Sequence, residues 1–351
     1  MSFTQILLAA TPCLVTMILG YLCLQLKILQ NNSVQPVNNF LVLICFPMLL
    51  MKLITGLQLG TMNMDYVYVS VLHRILSLII AFILGPLISR RKTKSQPVCP
   101  KVISYMTFSS LVYTNTVVIG FPMALVMFGE EALDYLTVSC SLDCVTLLPA
   151  AVIVMSDKFD IKTLSTNPII LSVILGIFHI NQFISGIIFK ATIPIEWIQL
   201  EPVQLIFDNF APSVSGGLLF VIGMSFFVQT RVKSEPKTNE QTYLLEIDVV
   251  GNKDEYNYNP ESIWWLLYCF VLRFVGAPLL MVVLAKYVFT LPKTVYSFAL
   301  FSVTNPLSIA CFGISKKYQK GVTVISNLFI STHFLMVPAF VIYAKVFNWK
   351  I

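Results

Sequence analysis

Long apolar stretches recur along the entire chain, and short polar segments separate them. A helix needs about 20 mostly apolar residues to cross the roughly 30 Å hydrocarbon layer of a bilayer. We predict ten membrane-spanning helices, over 3–26, 33–57, 66–89, 101–128, 132–155, 167–189, 203–229, 262–286, 294–315 and 322–346. The segment Phe183–Gln204 mixes apolar and polar residues, so a short amphipathic helix at the membrane surface is an alternative there.

The composition agrees with a chain that lies mostly in lipid. Of its 351 residues 57% are hydrophobic and 11% are charged, whereas about 25% are charged in an average soluble domain. Phe3–Leu26 lacks a preceding basic region and is too long for a typical signal peptide, so it is predicted to be a span. The longest polar segment, Gln229–Glu261, is predicted to be a flexible cytoplasmic linker.

The basic residues predict the orientation of the chain. If both termini lie outside, 15 of the 23 basic residues fall in cytoplasmic loops, as the positive-inside rule requires. We therefore expect both termini on the non-cytoplasmic side, in the plasma membrane or an endomembrane such as the endoplasmic reticulum. Because the net charge of +6 lies mostly in loops, it does not indicate a nucleic-acid partner.

Similar segments recur in the two halves of the chain. Leu147–Val154 in span five resembles Met336–Tyr343 in span ten, and both contain a proline. Asn115 in span four precedes the first proline by 34 residues, and Asn305 in span nine precedes the second by 33. Because five spans per half is an odd number, the second half must run inverted, as in many secondary transporters.

The predicted fold is an all-α integral membrane protein of ten transmembrane helices in two inverted five-helix repeats. The first repeat is predicted to cover residues 1–155. The second covers 156–351 and includes the flexible loop at 229–261.

Spans four and nine carry residues that break helices. Span four contains Asn115, Thr116, Gly120 and Pro122, and span nine contains Asn305-Pro306. Proline removes a backbone donor, and asparagine and threonine side chains can satisfy the groups that a break frees. A half-helix that restarts near the midplane directs N–H groups and a positive dipole end at a ligand. These residues are therefore candidate substrate-binding residues, although a simple kink is the alternative for each break alone.

Four ionisable residues fall near the middle of predicted spans: Arg74, Asp143, Arg273 and His333. Such residues are costly in lipid and usually mark a pathway. If Asp143 pairs with one arginine, the interior stays positive, which suits an anionic substrate bound by Arg74 and Arg273. Asp143 or His333 could carry a coupled proton. The alternative is an internal ion pair that fixes helix packing.

Other chemistries find no support in the sequence. Seven of the eight cysteines lie in predicted spans, and no clustered histidines complete a metal site with them. A nucleophile elbow, a phosphate loop and a metalloprotease motif are all lacking. We therefore expect neither an enzyme nor a bound metal or cofactor.

Span four resembles the auxin efflux carrier family, the plant PIN-type carriers and their relatives. Asn115-Thr116, Gly120 and Pro122, followed by Met127-Phe128-Gly129, match that family's N-T-x-x-x-G-x-P helix and its exit. The resemblance implies ten spans in two inverted repeats, with helices four and nine crossing at the substrate site. It further implies elevator-type alternating access and export or exchange of organic anions such as auxin or dicarboxylates.

The chain departs from the family pattern at several positions. Thr114 stands where plant carriers have proline, and Ser70 stands where they have the aspartate of span three. Arg74 replaces a lysine, and Asp143 occupies a place that is usually uncharged. The long loop after span five is reduced to Ser156–Thr166, so regulation through that loop is not implied.

The leading hypothesis is a secondary transporter of a small organic anion, auxin-like or carboxylate. The alternative is a transporter-derived sensor or receptor that binds a lipid or solute without moving it. The expected partners are the small anion and the lipid bilayer. A homodimer is compatible with the sequence but is not specified by it.

Overall fold

The computed structural model describes residues 3–57, 62–90, 100–155, 165–185, 201–234, 263–318, 320–347 and 349. Most of the predicted linker Gln229–Glu261 lies outside these residues. So do the middle of Phe183–Gln204 and most of Ser156–Thr166. Within the described ranges every regular element is a helix, and one isolated bridge is the only β-type pairing.

The described residues form thirteen helices in chain order. They are α1 (Phe3–Gln25), α2 (Asn31–Thr55), α3 (Met64–Arg90), α4 (Pro100–Val112), α5 (Thr116–Phe128), α6 (Glu131–Met155), α7 (Pro168–Ser185), α8 (Glu201–Phe210), α9 (Ser213–Ser234), α10 (Ile263–Val288), α11 (Lys293–Thr304), α12 (Ile309–Tyr318) and α13 (Val322–Val346).

By length and composition, seven helical stretches of the described chain can cross a membrane: α1, α2, α3, α6, α8 with α9, α10 and α13. The other predicted spans correspond to shorter helices. Predicted span six is α7, span four is divided into α4 and α5, and span nine is divided into α11 and α12. The all-helical membrane fold class is confirmed in this part of the chain. Ten crossings and two inverted repeats stay predictions.

The outside of the described structure is apolar, and its mostly apolar interior also holds buried polar and charged side chains. Leu8, Ile18 and Trp264 are 63%, 56% and 75% exposed, whereas Arg273 and Asn305 are 0% exposed. In water this arrangement would be costly, but in lipid an apolar surface is the stable one, and polar groups must find partners inside.

Several helices contain a π turn, in which an N–H bonds to the carbonyl five residues earlier. Three of these turns lie at candidate site residues: Thr116–Gly120 follows Asn115, Asp143–Leu147 begins at Asp143, and Leu272–Gly276 contains Arg273. A π turn inserts one residue into a helix and rotates the side chains that follow it, and such turns are common at functional sites.

Helix α1 packs closely on α9 through two glycines. A Cβ atom placed on Gly20 would lie 2.0 Å from the carbonyl oxygen of Phe220, and one on Gly223 would lie 1.8 Å from that of Met17. These backbones can approach only because glycine has no side chain, which is how small residues bring membrane helices together.

We predict that Gly223→Ala destabilises the protein by about 1–3 kcal/mol, because the added methyl group forces two packed helices apart. The measurement is the melting temperature of the purified protein in detergent. Gly216, in the same helix, has no described atom within 4 Å of its Cβ position apart from the backbone of its own helix. Gly216→Ala is the matched control and should be neutral or stabilising, since alanine favours helix. Equal melting temperatures for the two variants would contradict the close approach.

The helices form two groups around the divided helices. In one group α1 packs on α9, and α2 packs on both α7 and α9. In the other, α4 lies against α3, α6 and α10, while α11 contacts α6 and α10, and α12 packs on α13. Between the groups, α5 touches α1 and α9, α6 touches α2 and α7, and α13 touches α1. The breaks in spans four and nine therefore lie inside the second group, next to its boundary with the first.

Candidate functional site

The two helix breaks meet in the interior of the protein. The N–H of Asn115 donates to the carbonyl of Pro306 at 2.7 Å, and the N–H of Ser308 donates to the carbonyl of Tyr113 at 3.3 Å. Thr114 and Leu307 thus form an antiparallel bridge. Two short extended segments cross here and satisfy each other's backbone, so we call this place the crossing.

The sequence explains why each helix stops there. Asn305 precedes a proline and has φ −58° and ψ 152°, because the proline ring disfavours helical geometry in the residue before it. Pro122 lies one turn inside α5 and cannot donate to the carbonyl of Val118. The hydroxyl of Ser215 in α9 donates to that carbonyl instead, at 3.1 Å. The predicted break in span four therefore lies at Tyr113–Asn115, and Pro122 lies beyond it.

Four helix ends converge on the crossing. Helices α5 and α12 begin there, and their first turns present backbone N–H groups for which the helix has no partner. Helices α4 and α11 end there and present carbonyl oxygens. Positive and negative dipole ends therefore lie side by side.

Arg273 holds the two carbonyl ends. Its Nε and Nη2 donate to the carbonyl of Asn305, the Nε contact being 3.1 Å, and its Nη1 donates to the carbonyl of Ser110 at 3.2 Å. The side chain is fully buried and forms no ion pair with any carboxylate among the described residues. Its charge is therefore balanced by main-chain dipoles at the ends of α4 and α11.

Asn115 contacts His333 of α13. The Asn115 Nδ2 and His333 Nε2 atoms are 3.2 Å apart, and His333 Nδ1 lies 2.6 Å from the carbonyl of Phe329. Because a carbonyl oxygen only accepts, Nδ1 carries the hydrogen, and Nε2 accepts from the Asn115 amide. Both contacts fit a neutral imidazole, and a proton on Nε2 would face a donor.

Asn305 presents an unused acceptor at the crossing. Its Nδ2 donates to the carbonyl of Phe301 at 3.0 Å, but its Oδ1 is buried without a partner in the described chain. Gly120 lies directly against this side chain, since a Cβ at Gly120 would be 3.1 Å from Asn305 Nδ2. The hydroxyls of Thr114 and Thr116 pair with each other at 2.6 Å.

Arg74 and Asp143 form a separate buried cluster. Arg74 Nε donates to Asp143 Oδ1 at 2.7 Å, and Nη1 donates to the carbonyl of Ser70 at 2.9 Å. Arg74 Nη2 contacts Asp143 at 2.5 Å and both the carbonyl and hydroxyl of Ser139, at 2.8 and 2.9 Å. The guanidinium is therefore held by protein groups on several sides.

The structure brings most of the candidate residues together. Asn115, Thr116, Gly120, Asn305, Pro306, Arg273 and His333 lie at the crossing, while Arg74 and Asp143 pair beside it. The sequence did not predict the roles of Ser110, Ser215 and Thr332. The hydroxyl of Thr332 accepts a hydrogen bond from the N–H of Leu307 at 3.2 Å. Thr332 adjoins His333 in an apolar span, and that position was its only signal.

The crossing is closed in this conformation. Asn115 is 3% exposed and Asn305 is 0% exposed. A groove of about 220 Å³ lies beside Arg74, but its other lining residues are mostly apolar and belong to α3, α4 and α6. That groove does not include the asparagines. Among the described residues no three histidine, cysteine, aspartate or glutamate side chains are close enough to hold a metal ion.

Comparison with known families identifies the chain. The model of a family described as membrane transport protein matches residues 5–159 and 149–344, which together cover nearly the whole sequence. A comparison with curated proteins gives no significant match. The family match agrees with the resemblance carried by Asn115, Thr116, Gly120 and Pro122. The chain belongs to the membrane transport protein family, which is auxin efflux carrier-like, and it is an integral multi-pass membrane transporter.

Proposed function

We propose that the protein is a secondary transporter that moves a small organic anion, auxin-like or carboxylate, by elevator-type alternating access. The observation that carries this proposal is the crossing, where two broken helices from different halves of the chain meet. Broken helices at equivalent places mark the binding site in many inverted-repeat transporters.

The charges around the crossing favour an anion. Asp143 neutralises Arg74, while Arg273 has no carboxylate partner among the described residues. The N-terminal ends of α5 and α12 direct N–H groups to the same place, and such ends bind carboxylates and phosphates. The amide groups of Asn115 and Asn305 can donate to a carboxylate once they leave His333 and Phe301.

The helix contacts support two inverted repeats, 1–155 and 156–351. Helix α1 (span one) packs on α9 (span seven), and α7 (span six) packs on α2 (span two). If span one corresponds to span six and span two to span seven, these two contacts are equivalent. In this arrangement the group containing α1, α2, α7 and α9 serves as the scaffold. The group that holds the crossing moves against it and exposes the closed site to each side in turn.

The proposal includes the orientation of the chain, the membrane that holds it and its assembly. The basic loops favour termini on the non-cytoplasmic side, in the plasma membrane or an endomembrane. A scaffold that stays fixed in the bilayer is also a suitable surface for a homodimer. Asp143 and His333 are the candidates for carrying a coupled proton.

We expect Asn115→Ala and Asn305→Ala each to abolish most flux in proteoliposomes while leaving the fold intact. A hydrogen bond to a charged group contributes about 1.5–3 kcal/mol, so affinity should fall by about tenfold or more. The matched control is Asn39→Ala, since Asn39 lies in α2 and its exposed amide has a hydrogen bond only with Gln35 among the described residues. Wild-type flux in both crossing variants would exclude the crossing as the site.

The direct test of the function is counterflow with a panel of labelled carboxylates at two pH values. Accumulation of one carboxylate, lost in the asparagine variants, would support the proposal and identify the substrate class. A dependence on pH would indicate proton coupling. Binding without counterflow would instead favour a sensor that retains the transporter fold.

A further inference from the structure

Four buried polar side chains lie along one face of α3. Tyr66, Ser70, His73 and Ser77 are each 0% exposed. At 3.6 residues per turn they fall within an arc of about 60° and extend over about 16 Å, roughly half of the hydrocarbon layer. They form a continuous polar line in the protein interior, which we call the α3 stripe.

Every residue of the α3 stripe carries an unpartnered polar atom. The Tyr66 hydroxyl, Ser70 Oγ, His73 Nδ1 and Ser77 Oγ have no hydrogen-bond partner in the part of the chain that the structure describes. The Tyr66 hydroxyl lies near the hydroxyls of Ser70, Ser139 and Ser302, from α3, α6 and α11. Buried polar groups that lack a protein partner are commonly satisfied by ordered water.

The serines of the α3 stripe differ from other buried serines of this protein. Ser109, Ser110 and Ser141 each donate to the carbonyl four residues earlier, at 2.6, 2.7 and 2.8 Å. That contact is the usual way in which a helical serine satisfies its hydroxyl. Ser70 and Ser77 do not make it, so their hydroxyls are free to bond to something that lies beside the helix.

The imidazole ring of His73 also has a nitrogen that can bond to something beside the helix. Its Nε2 lies 3.3 Å from the carbonyl of Ala277 in α10, so Nε2 carries the hydrogen and Nδ1 is an acceptor. A buried acceptor without a donor is costly in a membrane, and internal water molecules are the usual donors in such places.

The α3 stripe adjoins the buried ion pair. The carbonyl of Ser70 accepts a hydrogen bond from Arg74 Nη1. The hydroxyl of Ser139, which lies near that of Tyr66, accepts one from Arg74 Nη2. We propose that the α3 stripe holds a file of ordered water molecules, which enters at Tyr66 and runs beside the Arg74–Asp143 pair. The file hydrates the pair in the middle of the membrane and gives it hydrogen-bonded contact with the surface at which α3 begins. This inference does not depend on what the protein transports.

Radiolytic hydroxyl-radical footprinting of the purified protein in nanodiscs tests the proposal, because radicals formed from internal water oxidise the side chains that contact it. Tyr66 should be oxidised several-fold faster than Tyr105, which is equally buried but donates its hydroxyl to the carbonyl of Cys311 at 2.7 Å. His73 should likewise exceed His333, whose two ring nitrogens both have partners. Equal, slow oxidation within both pairs would overturn the proposal.

A pair of variants tests whether the water lies along the α3 stripe. Ser70→Ala with Ser77→Ala removes two of its hydroxyls and should lower the oxidation of Tyr66 and His73 towards the control rates. Ser109→Ala removes a hydroxyl that is satisfied within its own helix and should change neither rate. Fast oxidation of Tyr66 that persists in the double variant would also overturn the proposal, since water would then reach Tyr66 without the serines of the α3 stripe.

Discussion

Replacing Asp143 with alanine is expected to destabilise the protein by about 3–5 kcal/mol, because removal of one partner leaves the other charge buried and unpaired. Arg74 would keep its contacts to Ser70 and Ser139 but would lose its only carboxylate among the described residues. The measurement is the melting temperature in detergent, compared with that of Ser139→Ala. The serine variant removes one neutral partner of the same guanidinium and should cost less.

A double variant separates the effect of the unpaired charge from the effect of the lost side-chain volume. Arg74→Met combined with Asp143→Leu replaces the ion pair by apolar side chains, and such replacements of buried pairs are often neutral or stabilising. We therefore expect the double variant to recover most of the stability that Asp143→Ala loses. An Asp143→Ala protein as stable as the wild type would contradict the pairing.

Flux in the double variant then distinguishes the two roles that the sequence leaves open for Asp143. If the carboxylate carries a coupled proton, the double variant folds but loses pH-dependent counterflow. If counterflow and its pH dependence are unchanged, the pair serves helix packing alone. His333 would then be the remaining candidate for proton coupling.

The elements of the fold were largely predictable, because each depends on local apolar length or on a helix-breaking residue. The predicted spans correspond to described helices, and Asn115 and Asn305 were correctly placed at the breaks. The extent of span seven was less well predicted. Its first part is the separate helix α8, which ends at Phe210 before α9 begins at Ser213.

The partners of the buried charges could not be predicted in the same way. The sequence left open whether Asp143 pairs with an arginine and with which one, because both arginines occupy similar positions in their spans. Arg273 donates to the carbonyls of Ser110 and Asn305. Because every residue has a carbonyl, no pattern of side chains in the sequence predicts this contact. The π turn that contains Arg273 cannot be predicted from the sequence either, because it depends on how the helix packs.

Replacing Arg273 with methionine is expected to destabilise the protein by about 2–6 kcal/mol, since two buried carbonyl groups would each lose a charged donor. The carbonyls of Ser110 and Asn305 lie at the ends of α4 and α11, where the negative dipole ends would then repel each other. The matched control is Lys286→Met in the same helix, because Lys286 is exposed and its removal should change stability little.

The lysine variant decides whether Arg273 supports the crossing or binds the anion itself. Lysine keeps the charge but presents its donors from one nitrogen, so it cannot reproduce the planar fork that spans two carbonyls. If Arg273 joins the ends of α4 and α11, Arg273→Lys should be less stable than the wild type but more stable than Arg273→Met, and counterflow should fall in the same order. If the charge acts on the substrate directly, Arg273→Met should melt like the wild type and yet lose counterflow. The structure favours the first outcome, because the hydrogen bonds of the guanidinium already go to the protein's own backbone.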